Sequence, residues 1–287
     1  MLRRFRLEEP VSVKEASELL GRFGESAKVY AGGTELLLAM KEGFVQYERL
    51  VNLKNIKGLS EISQQNGLLR IGALCTHHQL EESSLLREKL SALAKLEKNV
   101  ANVRVRQTGT IGGNLCFAEP HADPGILLLA LGARIIAENS SAAREIAARE
   151  FFVDAYETSL GLDEVLTQIE IPVPREKSGV SYLKFGYLER PSVGVAVALT
   201  LDDGGKAIGD IKIAVGCAGP APKRVEEAEG ALKGKSTEEA VRDLAKAGVV
   251  AGRAADAISD LHGSQEYKEH IVGVLLKRAF QDASSQC

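Results

Sequence analysis

The sequence predicts an α+β fold in which two α/β subdomains precede a small C-terminal domain with a three-stranded antiparallel sheet and helices. Short apolar strand patterns and amphipathic helical patterns alternate over the first part of the chain. Pro172 and Pro174 follow the last strand of this part and mark a boundary. Beyond them, strand patterns come first and helical patterns follow. We therefore predict a first domain over residues 1–174, divided into about 1–53 and 54–174, and a second domain over 175–287.

The first subdomain begins with a helix whose start and end are both marked. Ser12 and Glu15 form a capping-box pattern before an apolar face that includes Leu20, and Gly24 ends the helix. The remaining elements predicted here are a strand at 28–31, a short helix at 36–40 and a strand at 50–53.

The second subdomain is predicted from a similar mixture of patterns. Thr76 and Gln79 form another capping box, and residues 85–98 have helical periodicity. The other predicted elements are strands at 68–71, 134–137 and 165–171 and an apolar helix at 126–131.

In the C-terminal domain, three strand patterns precede three helical ones. The strands are predicted at 181–188, 193–201 and 208–216, with the turn Asp202–Gly205 between the last two. The helices are predicted at 224–232, 237–251 and 265–283.

Composition limits the possible functions. The chain has 287 residues, 45% of them hydrophobic, and a net charge of −3 without a central basic cluster, which gives no indication of a nucleic-acid partner. No apolar run reaches the roughly 18 residues of a membrane span, and no apolar leader follows the basic N-terminus. Four scattered cysteines lack a C-x-x-C pair, which argues against a metal site. We expect a cytoplasmic protein.

Two glycine motifs about eighty residues apart are the main functional signal. Ala31–Leu36 (AGGTEL) follows a strand and leads into a helix, and Thr110–Asn114 (TIGGN) pairs two glycines with a hydroxyl and an amide. Backbone N–H groups in glycine turns can form a nest for phosphate. Neither motif fits G-x-G-x-x-G or the P-loop pattern, which argues against a Rossmann domain and a P-loop NTPase. The two loops fit either a pair that holds the two halves of a diphosphate or ordinary glycine turns. Asp123 either accepts bonds from ribityl or ribose hydroxyls or caps the helix that follows.

These two motifs and Asp123, in this order and spacing, resemble the FAD-binding medium subunit of the molybdenum hydroxylases, the carbon monoxide dehydrogenase and xanthine dehydrogenase family. The resemblance covers essentially the whole chain. It implies a PCMH-type FAD-binding domain whose two subdomains enclose FAD, with the C-terminal domain packed against them. Thr34 and Glu35 stand where carbon monoxide dehydrogenases often have a His-Ser pair, which loosens the assignment to that member of the family.

Further contacts follow from the resemblance. Lys184 corresponds to a family lysine that approaches the flavin, and its alternative is a solvated lysine on a half-exposed strand. Leu166 corresponds to a position whose backbone meets the flavin, and it also fits a core leucine. Tyr30 fits either a cofactor contact or a strand residue. The cofactor-binding residues that we predict are Tyr30, Ala31, Gly32, Gly33, Thr34, Glu35, Leu36, Thr110, Ile111, Gly112, Gly113, Asn114, Asp123, Leu166 and Lys184.

The resemblance also implies partners. A large molybdenum-cofactor subunit would oxidise the substrate, and a small [2Fe–2S] subunit would pass electrons to this FAD, which delivers them to NAD or a quinone-type acceptor. The assembly would be a single or paired heterotrimer, and this chain would supply no catalytic acid or base. A stand-alone FAD oxidoreductase and a non-enzymatic nucleotide-binding protein remain as alternatives.

Two histidine positions offer other interpretations. His77 and His78 are adjacent, which does not suit a chelating pair on a helix, so we predict ordinary helix-start residues. His121 lies between Asn114 and Asp123, where it is either a cofactor contact or a loop residue.

Overall fold

The computed structural model describes residues 2–186 and 190–287. The predicted mixture of helices and sheets is confirmed. In chain order the strands are β1 (Arg6–Glu8), β2 (Ala27–Tyr30), β3 (Arg49–Asn52), β4 (Ile62–Gln65), β5 (Leu68–Gly72), β6 (Arg134–Glu138), β7 (Ala143–Ala147), β8 (Phe152–Asp154), β9 (Glu157–Thr158), β10 (Val165–Pro172), β11 (Ser178–Phe185), β12 (Val193–Leu201), β13 (Ile208–Gly216) and β14 (Lys223–Arg224).

The α-helices lie between these strands and at the C-terminal end. They are α1 (Val13–Phe23), α2 (Leu36–Glu42), α3 (His77–Glu82), α4 (Ser84–Lys89), α5 (Ser91–Lys98), α6 (Val103–Thr108), α7 (Ile111–Phe117), α8 (Pro124–Leu131), α9 (Ala148–Phe151), α10 (Glu226–Leu232), α11 (Thr237–Ala254) and α12 (Gln265–Ser284). None of these helices is both long and apolar enough to cross a membrane.

The first sheet is parallel, with strand order β1-β3-β2. Its helix α1 begins at the predicted Ser12 cap, whose hydroxyl accepts from the Glu15 N–H. Glu15 itself accepts from the N–H of Val11, one residue before the position that the capping box predicted. The first glycine motif follows directly after Tyr30, at the carboxyl end of β2.

The second sheet is antiparallel, with strand order β4-β5-β10-β6-β7. The single helix predicted over 85–98 is instead two helices, α4 and α5. The chain turns at Leu90 (φ −152°), and this turn lets Leu86, Leu90 and Leu93 all enter the same core.

The C-terminal sheet contains the three predicted strands, and a two-residue strand, β14, joins its edge. The predicted first strand extended to residue 188, but residues 187–189 lie outside the described structure. The apolar helix α8 is buried along its whole length between the second and C-terminal sheets. Gly194 and Gly216 leave room for it, because a Cβ at either position would lie within 2.7 Å of Ile126. This packing fixes the C-terminal domain beside Asp123, at the start of α8.

Candidate functional site

The first glycine motif forms a tight turn between β2 and α2. Gly33 has φ +74°, and a Cβ there would lie 2.5 Å from the ring of Tyr30, which therefore supports the turn from beneath. In the described structure, the backbone N–H groups of residues 32–35 have no protein acceptor. The turn thus leaves a row of backbone donors without protein acceptors, and the anion nest predicted here stays a prediction.

The second glycine motif is a helix start. Thr110 caps α7 by accepting from the Gly113 N–H at 3.1 Å. Ile111 and Gly112 donate their N–H groups to the carbonyls of Cys75 and Ala73. Because these N–H groups are already used within the protein, the backbone nest predicted for this motif is not formed. Gly112 is required for packing, since its Cβ would lie 2.7 Å from Ala73.

The first motif nevertheless meets the backbone just before the second one. A Cβ at Gly32 would lie 2.3 Å from the carbonyl oxygen of Thr108 and 2.7 Å from Cα of Gly109. A Cβ at Gly109 would in turn lie 3.4 Å from Oγ1 of Thr34. The subdomains therefore touch through backbone at this junction, which has no room for side chains.

A cavity of about 560 Å³ runs along this junction, a size typical of cofactor sites. Asn114 lies in its wall with a buried Oδ1 that has no hydrogen-bond partner in the described structure. The predicted residues that line the cavity are Ala31, Gly32, Gly33, Thr34, Glu35, Leu36, Thr110, Gly112, Gly113, Asn114, Asp123 and Leu166.

Three predicted residues are not among those that line it. Tyr30 lies beneath Gly33, and its hydroxyl is 3.4 Å from Nζ of Lys54. Ile111 is fully buried in the core behind Gly112. Lys184 lies behind Asp123 and contacts it from β11.

Asp123 is a polar residue of the cavity wall and is 3% exposed. It makes no helix-capping bond, so the capping interpretation is wrong. Its carboxylate accepts hydrogen bonds from the Tyr182 hydroxyl and from Nζ of Lys184, the latter at 2.8 Å. Burial raises the pKa of Asp123, and the Lys184 charge opposes this rise. Two C-terminal-domain side chains therefore fix the orientation of a carboxylate that belongs to the first domain.

A charged cluster at another part of the wall was not predicted. Arg190 places its guanidinium 3.7 Å from the Glu35 carboxylate and 3.6 Å from that of Glu119, and His121 also contacts Glu119, at 3.1 Å. Burial raises the pKa of Glu35. Burial also acts to raise the pKa of Glu119, but His121 and Arg190 outweigh it and lower that pKa. Arg190 thus links both subdomains, and His121 proves to be a cavity residue.

His77 also lines the cavity, and its ring contacts the buried carboxylate of Glu97. The sequence predicted His77 at a helix start, and this is where it lies. It did not predict the contact with Glu97, because that residue is twenty positions further along the chain. No group of three or more metal-ligating side chains occurs in residues 2–186 and 190–287.

Three observations indicate that the cavity wall fits a dinucleotide flavin. The N–H groups of residues 32–35, which have no protein acceptor, can donate to a phosphate. Oδ1 of Asn114 has no donor within the described structure, and the absence of a side chain at Gly32 lets a ligand approach the backbone closely. The residues present therefore fit FAD.

Comparison with known proteins gives matches over the whole chain. Residues 3–174 match the family described as the FAD binding domain in molybdopterin dehydrogenase, and residues 189–283 match the CO dehydrogenase flavoprotein C-terminal domain. The carbon monoxide dehydrogenase medium chain of Hydrogenophaga pseudoflava is 33% identical over 99% of this chain and 98% of its own length. The xanthine dehydrogenase FAD-binding subunit of Escherichia coli O157:H7 is 27% identical over 90% of this chain and 88% of its own length. The solved structure of carbon monoxide dehydrogenase from H. pseudoflava, in a form lacking the Mo-pyranopterin moiety, superposes with a TM-score of 0.95, at 33% identity, over 100% of this chain and 99% of that one.

Proposed function

Because the chain belongs to the family of FAD-binding subunits of molybdopterin dehydrogenases, we propose that it passes electrons from the [2Fe–2S] clusters of a small partner subunit, through FAD, to NAD or a quinone-type acceptor. It is an FAD-dependent oxidoreductase subunit of the carbon monoxide dehydrogenase and xanthine dehydrogenase type. The observation that carries the proposal is the single cavity in which both glycine motifs meet.

We propose that the first motif holds the FAD diphosphate. The N–H groups of residues 32–35 lie at the cavity and are available as donors, and the Thr34 hydroxyl lies beside them. A row of backbone donors is selective for phosphate because it offers several hydrogen bonds within one concave surface. Tyr30, Ala31 and Leu36 would shape this turn, and Glu35 would border it.

The second motif and Leu166 would form the opposite wall. The side-chain amide of Asn114 would hydrogen-bond to the cofactor, because its Oδ1 has no partner in the described structure. Thr110, Ile111, Gly112 and Gly113 would keep the helix start close enough to the ligand for contact.

Asp123 would accept hydrogen bonds from hydroxyl groups of the cofactor, as the sequence predicted. Lys184 would balance its charge and place a cation behind it. Flavin, when bound, accepts electrons singly or in pairs and so connects one-electron and two-electron carriers. The residues of this chain bind and orient the flavin and surround it with fixed charges, without a proton-transfer role.

The partners would be a large molybdenum-cofactor subunit and a small [2Fe–2S] subunit, in a single or paired heterotrimer. The similarity to proteins named medium chain over nearly their full length supports this proposal. The domain division at 174/175, the subdivision near 53 and the cytoplasmic location stay predictions.

The experiment has two steps. First, the purified chain is denatured and the released chromophore is compared with FAD, FMN and NAD by chromatography; FAD is expected. Second, the FAD-loaded chain is mixed with its reduced partner subunits, and flavin reduction is followed by absorbance before NAD or a quinone is added.

We expect the flavin absorbance to be lost by reduction only when the small subunit is present. One of the two acceptors should then reoxidise the flavin. Turnover of an organic substrate by the chain alone would instead favour the stand-alone oxidoreductase. Retained FAD with no electron uptake from the small subunit would refute the proposed route.

A further inference from the structure

A buried pair of titratable side chains lies beside the junction of the two glycine motifs. His77 is 2% exposed and Glu97 is 0% exposed, and Nδ1 of the imidazole lies 2.5 Å from Oε2 of the carboxylate. The second carboxylate oxygen, Oε1, has no hydrogen-bond partner in the described structure. Burying two titratable groups away from water is costly unless they stabilise each other.

The position of His77 is fixed by the neighbouring backbone. Thr76 caps α3 with both hydrogen bonds of a capping box and forms a β-bridge with Thr110. The N–H of His77 donates to the carbonyl of Gly109 at 3.1 Å. A Cβ at Gly109 would lie 3.3 Å from Cδ2 of His77 and 3.4 Å from Oγ1 of Thr34. Cδ2, the ring atom bonded to Nε2, therefore faces Gly109, and His77 lines the same cavity as residues 32–35.

Charge balance indicates that the imidazole is a cation. Asp123 already has Lys184 as its counter-ion. A neutral His77 would leave the Glu97 carboxylate, which has no exposed surface, as an uncompensated buried charge. With Nδ1–H donated to Glu97, the imidazolium has a second donor at Nε2–H. In the part of the chain that the structure describes, Nε2 makes no hydrogen bond.

We propose that His77 is a cofactor-binding residue, held as an imidazolium by Glu97, whose Nε2–H donates to an oxygen of the FAD diphosphate. This inference rests on the proposed FAD site. It adds a charged donor to the neutral backbone donors of residues 32–35, and charged donors make the stronger hydrogen bonds to phosphate. Glu97 acts as the positioning residue, since the hydrogen-bond partner of its carboxylate in the described residues is His77.

The test is calorimetric titration of the apo-chain with FAD, ADP and riboflavin between pH 6 and pH 9. His77→Gln removes the charge, and Glu97→Gln removes the counter-ion. His78→Gln is the matched control, because it is the next residue on the same helix and its side chain is 42% exposed.

At pH 6, His77→Gln should weaken FAD and ADP binding by about tenfold, the effect of losing one charged hydrogen bond, and should leave riboflavin binding unchanged. The pH profile of FAD and ADP affinity should differ between wild type and His77→Gln, and should be the same in wild type and His78→Gln. Glu97→Gln should also weaken FAD and ADP binding and leave riboflavin binding unchanged.

The difference between the wild-type and His77→Gln profiles isolates His77 from other titrating groups. The charged and titratable residues on α3 itself are His78, Glu81 and Glu82. Those on the helices packed against it are Arg87, Glu88 and Lys89 of α4, Lys95, Glu97 and Lys98 of α5, and Arg104 and Arg106 of α6. Asp123 and Lys184 form the ion pair of the cavity wall.

The outcomes separate the two proposals. A wild-type chain that does not bind FAD overturns the proposed function. A wild-type chain that binds FAD, with His77→Gln unchanged in affinity and pH profile, overturns only the inference about His77. If a variant does not fold, ¹⁵N NMR of histidine-labelled wild-type protein reports on the His77 ring nitrogens directly. A neutral His77 ring at pH 6, or a ring signal that ADP does not shift, would refute the inference.

Discussion

Substitution of Gly32 by alanine is the sharpest test of how the two motifs meet. A Cβ at this position would lie 2.3 Å from the Thr108 carbonyl oxygen, whereas contacts below 3.0 Å are essentially never seen, so the two backbones must separate by at least about 0.7 Å. The φ angle of Gly32 is not in the left-handed region, so the whole penalty comes from this contact. Overpacking of this kind costs about 1–3 kcal/mol.

We expect Gly32→Ala to lower the free energy of unfolding by that amount and to weaken FAD binding tenfold or more, measured by denaturant unfolding and by titration of the apo-chain. Gly230→Ala is the control, because a Cβ there meets nothing within 4 Å and α10 should gain about 0.5–1 kcal/mol from alanine. A Gly32→Ala protein with wild-type stability and wild-type FAD affinity would refute the junction described above.

The remaining predictions concern charge and thiol chemistry. Lys184→Met should raise the pKa of Asp123 further, because the carboxylate loses its counter-ion. The folded state then binds more protons than the unfolded state, so the free energy of unfolding falls as the pH rises. In denaturant unfolding, Lys184→Met should lower the free energy of unfolding by about 3–5 kcal/mol at pH 8 and by less at pH 5, and adding Asp123→Asn should restore it. An equal decrease at both pH values would contradict this. Arg190→Ala should lower the free energy of unfolding by less than about 1 kcal/mol, because the Arg190 side chain is 51% exposed, and a larger decrease in the same unfolding assay would contradict this. Burial raises the pKa of Cys116 to about 12, whereas Cys287 is exposed. Mass spectrometry after alkylation at pH 7 should therefore find Cys287 modified first. Equal alkylation rates of the two thiols would contradict the burial of Cys116.

Local patterns were reliable where short-range chemistry decides the structure. The cap at Ser12, the capping box at Thr76 and the glycine end of α1 were predicted because each needs only residues within one turn of a helix. The two glycine motifs indicated the cofactor class for a similar reason, since their spacing resembles one family.

Burial and hydrogen bonding corrected the chemistry of the second motif. Gly112 was interpreted as a phosphate-binding glycine, but its N–H donates to Ala73 and its missing side chain makes room for the same residue. The sequence cannot distinguish a glycine needed for a ligand from one needed for packing, because the packed partner lies almost forty residues away.

The parallel pairing of β1 and the antiparallel second sheet also depended on distant segments. β1 is three residues long and is held by pairing with β3, about forty residues further on. No local pattern marks such a strand.

The sequence by itself determined the family, the cofactor class and the positions of the two glycine motifs, because these depend on residue type and spacing along the chain. Only the tertiary structure decided which donors remain available and which charges are paired. The Glu97 carboxylate beside His77, and the Lys184 cation beside Asp123, are brought together by packing of separate elements. Electrostatic balance in a buried wall is a property of distances through space, which the order of residues does not state.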